Sequence, residues 1–70
     1  MILENVRRLC AERGITVNHA EVKCGFSHGA IKHWDKHPPT ITRAKILCDF
    51  LEIPMEELFR EEFSEVGEGE

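Results

Sequence analysis

Residues 15–36 read ITVNHAEVKCGFSHGAIKHWDK, and their spacing decides the fold. Thr16 is a helix-capping residue type, since its hydroxyl can accept a backbone N–H from the first turn. Behind it Val17, Ala20 and Cys24 recur at i, i+3 and i+7, the apolar stripe of a short helix. Gly25 ends that helix, because glycine adopts the left-handed conformation that a sharp turn between helices needs. Ser27 can cap a further helix over residues 27–36. In it Ala30, Ile31 and Trp34 face inward, while His28, Lys32, His33 and Lys36 occupy other faces. Trp34 shares the face of Ile31 and is expected to anchor the packing. The Pro38-Pro39 pair closes the helix.

Working outward, ILENVRRLCAER at residues 2–13 carries Ile2, Val6, Leu9 and Cys10 at helical spacing. Glu4 stands early and Arg13 late, where the helix dipole favours each sign, and Gly14 stops the helix. On the other side Thr40 caps ITRAKILCDFLE, whose apolar set Ile41, Ala44, Leu47, Cys48 and Leu51 predicts a buried helix. Pro54 suits a helix start, with Met55, Leu58 and Phe59 packing and Phe63 extending the stripe. No strand pattern and no internal repeat interrupts this order. The reading is an all-α, compact five-helix bundle over residues 1–63, followed by an acidic flexible tail at 64–70 in which only Val66 is apolar.

A chain of 70 residues holds one hydrophobic core, and that core is small. Its 41% apolar and 31% charged residues exclude broad disorder, a collagen and a membrane-spanning chain. The start, MILENVRR, lacks the unbroken apolar run of a secretory signal, so a cytoplasmic location is expected. Cys10, Cys24 and Cys48 are odd in number and fall where helical periodicity wants apolar groups, the pattern of reduced core thiols. The net charge of −4 is unevenly spread. Residues 1–50 hold eight Lys+Arg against five Asp+Glu, whereas residues 51–70 hold one against eight. A mildly basic body with an acidic end is compatible with a nucleic-acid face.

A short helix, a turn containing Gly25 and a second helix with one polar face give the helix-turn-helix plan. Its first helix lies across the sugar-phosphate backbone and its second enters the major groove. Residues 2–60 resemble the lambda-repressor and Cro type of helix-turn-helix domain (XRE-like), common in phage and bacterial regulators. The resemblance is carried by G-I-T at Gly14 to Thr16, G-F-S at Gly25 to Ser27, I-x-x-W-D-K at Ile31 to Lys36, and the closing I-P-M-E-E-L-F.

What the resemblance implies is residue-specific. Ser27, His28, Gly29, Lys32 and His33 would lie at or near the groove-reading surface. Thr16 and Asn18 would face the DNA backbone at the start of the second helix, and Lys36, Thr40, Thr42 and Arg43 would add phosphate or minor-groove contacts. The chemistry is suitable, since Lys32 can donate to guanine, a histidine can donate or accept at a base edge, and Arg43 suits a phosphate. Three features depart from the pattern: Val17 stands where related repressors often place a glutamine, Gly29 leaves a bare spot on the expected recognition helix, and the tail is acidic.

The expected function is sequence-specific DNA binding as a small transcriptional regulator, a phage-like repressor or Cro-like protein on a double-stranded operator. It would work in the cytoplasm of a bacterial cell or phage-infected host, as a weak homodimer or a dimer formed on DNA. The alternative is a modulator or antirepressor that uses the same fold to bind a partner repressor protein. Nothing in the sequence assembles a nucleophile, base and oxyanion donor, so no catalytic residue and no cofactor is expected. Cys24, His28, His33 and His37 are zinc-binding types, but there is no close cysteine pair and Cys24 belongs to a core stripe, so no metal is expected either.

Overall fold

A computed structural model describes residues 2–60. Four α-helices run in the order α1 (Ile2–Glu12), α2 (Val17–Cys24), α3 (Ile41–Leu51) and α4 (Met55–Leu58), with a 3-10 turn (Ile31–His33) between α2 and α3. The described residues contain helices and no strands, as the periodicity implies. The expected count of five helices is corrected to four. The segment over 27–36 does not form an α-helix, because Glu21 of α2 takes up the N–H groups of Gly29 and Ile31.

Three of the helices end in the same way. The N–H of the residue that follows the left-handed turn position reaches back five positions, from Ile15 to Cys10 at 3.0 Å, from Phe26 to Glu21 at 2.8 Å and from Ile53 to Cys48 at 2.9 Å. This closure requires a left-handed residue at the turn. Gly25 supplies it after α2 with φ 77°, whereas α3 is closed by Glu52 at φ 61°. The starts of α2 and α3 follow the sequence: Thr16 Oγ1 accepts the His19 N–H at 3.0 Å, and Thr40 Oγ1 accepts the Arg43 N–H at 3.2 Å.

The core is one cluster that draws on every element. Val6, Leu9 and Cys10 of α1 meet Ala20 of α2, Ile31 and Trp34 of the turn region, Ala44, Leu47, Cys48 and Leu51 of α3, and Leu58 of α4. Trp34 is the inward anchor its spacing implies, and Phe26 packs against it edge to face with ring centres 5.8 Å apart. Cys10 and Cys48 are buried, Cys24 is half-buried, and all three are free thiols. Burial pushes each thiol above its ordinary value.

One apolar expectation fails. Ile41 heads the α3 stripe in the sequence but is 79% exposed, and the stripe is buried only from Ala44 onward. Helical Cα–Cβ bonds tilt towards the N-terminus, so the side chain of a first-turn residue projects past the end of the helix. Phe63 and the acidic segment at 64–70 lie outside the described residues.

Polar side chains join the ends of the helices. Arg13, just past α1, donates from Nη1 to the Leu9 carbonyl at 2.8 Å and from Nε to the Leu51 carbonyl at 3.0 Å, so one guanidinium serves the last turns of both α1 and α3. Buried Asn5 donates from Nδ2 to the Leu58 carbonyl at 2.9 Å and ties α1 to α4. Asp35 accepts the Leu3 N–H at 3.1 Å, giving α1 a cap from a residue 32 positions away. No helix among the described residues is long and apolar enough to cross a membrane.

Candidate nucleic-acid interface

The arrangement of residues 27–37 starts from Glu21. This residue lies on the inner face of α2 beside Ala20 and is only 3% exposed. Its carboxylate accepts the Gly29 N–H through Oε1 and the Ile31 N–H through Oε2, each at 3.0 Å. A buried carboxylate costs a great deal unless its oxygens are hydrogen-bonded, and these two donors supply that.

The same two bonds prevent a helix from starting at Ser27. Gly29 sits at φ 83°, outside right-handed helical space, with its N–H turned to Glu21. The Ser27 side chain does not cap, and its backbone carbonyl instead accepts the Ala30 N–H at 3.0 Å. Right-handed geometry begins at Ala30, at φ −59° and ψ −44°, and continues through three-residue bonds from His33 to Ala30 and from Trp34 to Ile31. The His37 N–H closes on the His33 carbonyl at 2.7 Å, and Pro38 follows.

On this frame Ser27, His28, Lys32, His33 and Lys36 are exposed and Gly29 is half-buried. Gly29 therefore stands in the turn before the helical segment rather than within a helix, and its N–H is occupied. Thr16 and Asn18 are exposed at the start of α2, and Thr40, Thr42 and Arg43 are exposed at the start of α3. The hydroxyl oxygens of Thr16 and Thr40 accept backbone N–H groups, which leaves each O–H able to donate.

Two of these positions are in direct contact: His28 Nδ1 lies 2.7 Å from Asn18 Oδ1, which joins the start of α2 to the turn. The cations differ in company. Arg8, Arg13, Lys45 and Arg60 each face a carboxylate at 3.3–3.8 Å. Among the described residues Lys32, Lys36 and Arg43 form no ion pair, and neither do Arg7 and Lys23.

No family model, curated protein or solved structure matches this chain. The site is an open surface, since the described residues enclose no pocket. It offers, from three segments of the chain, hydroxyls, imidazoles, a carboxamide and three cations that form no ion pair among the described residues. Among the described residues no group of three or more His, Cys, Asp or Glu side chains is placed to hold a metal ion.

Sequence reasoning missed Glu21, although a signal was present. Val17, Ala20, Glu21 and Cys24 share one helical face, so a carboxylate stands inside an apolar stripe. Such a group must find donors within the fold.

Proposed function

We propose that this chain binds double-stranded DNA as a small transcriptional regulator of the lambda-repressor and Cro type, with α2 and the turn at 27–37 as its helix-turn-helix. In this reading His28, Lys32 and His33, with Ser27 and Gly29 beside them, face the major groove. Thr16, Asn18, Lys36, Thr40, Thr42 and Arg43 face phosphates or the minor groove, and two copies occupy two half-sites. The observation that carries the reading is the set of unpaired cations. Lys32, Lys36 and Arg43 are exposed and have no carboxylate partner among the described residues. They can meet phosphates without breaking an ion pair, and each would displace a counterion.

The test is a salt titration of binding to mixed-sequence duplex DNA by the wild type and by a Lys32→Ala, Arg43→Ala double variant. Log affinity should fall linearly with log salt, and the slope should be shallower in the variant by about 2. No retention on duplex at low salt rejects the proposal.

A second reading, a modulator that binds a partner repressor, is favoured by a specific feature. Val22 of α2 is 66% exposed and Ile41 of α3 is 79% exposed, and large apolar side chains in such positions suit a protein partner. Binding to a purified repressor that is weakened by Val22→Ser or Ile41→Ser, in a protein that ignores DNA, would select it.

A further inference from the structure

The contact between Asn18 and His28 has a definite polarity. Asn18 Oδ1 is a carboxamide oxygen and only accepts, so the imidazole nitrogen 2.7 Å away must be the donor. In a neutral ring that places the hydrogen on Nδ1 and leaves Nε2 with a lone pair. The position is well held from both sides. Asn18 stands two residues after the Thr16 cap, whose Oγ1 accepts the His19 N–H at 3.0 Å. The residue after His28 is fixed by its N–H bond to buried Glu21, at 3.0 Å.

Resting on the DNA-binding reading above, we infer that Asn18 sets the tautomer of His28 and thereby determines which base His28 accepts. With Nε2 as an acceptor, the ring requires a hydrogen-bond donor in the major groove. Adenine offers N6–H2 and cytosine offers N4–H2, whereas guanine and thymine present only acceptors there. His28 therefore selects an amino-bearing base, adenine or cytosine. The opposite tautomer would donate from Nε2 and could reach the acceptors of guanine, thymine or adenine N7, so it would lose cytosine and the requirement for an amino group. Asn18 is thus a specificity-determining residue that acts through His28, while its own Nδ2 hydrogens remain able to donate to a phosphate.

Two measurements test this, and the first needs no DNA. Imidazole 15N–1H correlation spectra are recorded on the whole chain at about pH 8, above the usual imidazole range. They should show His28 protonated at Nδ1 and bare at Nε2, and Asn18→Ala should move the hydrogen to Nε2. A wild-type ring protonated at Nε2, or a tautomer indifferent to Asn18→Ala, overturns the inference. Both side chains are exposed, so neither substitution opens a cavity in the core.

The second measurement is selection from a randomised duplex pool at the same pH. The wild type should enrich adenine or cytosine at one position by about tenfold, the ratio that corresponds to one hydrogen bond made or left unmade. That preference should vanish in His28→Ala and Asn18→Ala while the other positions keep theirs. An operator recovered with the preference unmoved overturns this inference alone. Failure to recover any duplex overturns the DNA-binding reading and the base assignment with it.

Discussion

Glu21 holds two backbone N–H groups, that of buried Ile31 and that of half-buried Gly29, one on each carboxylate oxygen. Glu21→Ala removes both acceptors and should lower unfolding stability by about 3 kcal/mol, the scale for hydrogen bonds to a charged group together with stranded donors. Glu21→Gln keeps one acceptor oxygen and loses the other, so its loss should be about half as large. Urea denaturation of the three proteins checks this order. Equal stability of wild type and Glu21→Ala would mean that the turn at 27–37 is held by its apolar anchors alone. The residue also shows how an interior charge can organise a surface, because the loop it binds carries His28 and leads into Lys32 and His33.

The helices differ in how well their ends are made. α2 closes on Gly25 in the left-handed region, but α3 closes with the same backbone pattern on Glu52 at φ 61°. An L side chain in that conformation costs roughly 1–2 kcal/mol, and glycine removes most of the cost while adding entropy to the unfolded chain. Glu52→Gly should therefore raise stability by about 0.5–1 kcal/mol, read as a higher urea midpoint with an unchanged slope. A lower midpoint would show that the Glu52 side chain supports α3 in some other way. The starts of α2 and α3 were legible from Thr16 and Thr40 because a cap hydroxyl bonds the N–H three residues on. The end of α2 was legible from Gly25 for a similar reason.

At the scale of the whole molecule, one core joins α1 to α4, and three free thiols lie in or against it. Burial raises all three above the ordinary thiol value of 9.0, with Arg13 opposing the shift at Cys10 and Lys45 opposing it at Cys48. Between 9.0 and the raised folded values the native state binds more protons than the unfolded chain, so stability falls as pH rises through that window. Below 9.0 this contribution is fully present. Thermal unfolding from pH 8 upward should show a falling midpoint, and a Cys10→Ser, Cys24→Ser, Cys48→Ser triple variant should show a weaker fall. A profile that is equally steep in both would assign the loss to other groups. Cys24 is the least buried of the three and should be the first to react with a thiol reagent in the native protein.

The sequence by itself determined the all-helical class, the stripes of α1 and α2, most of the α3 stripe, two caps, the stop at Gly25 and the inward turn of Trp34. All of these rest on bonds and faces repeated every three to four residues, which periodicity records. It also indicated the exposed polar set from Thr16 to Arg43, because hydrophilic residues between apolar stripes fall on outer faces. Only the tertiary structure decided that residues 27–36 form a turn and a 3-10 segment instead of a fifth helix, that Ile41 faces outward, and that Asn18 meets His28. It likewise decided that Arg13 serves the ends of α1 and α3 and that Asp35 caps the start of α1. Apart from Ile41, whose exposure follows from its place in the first turn of α3, these outcomes depend on groups 8 to 38 positions apart in the chain. A carboxylate that crosses to another segment leaves no periodic trace there, and its only mark is a charged residue within an apolar stripe.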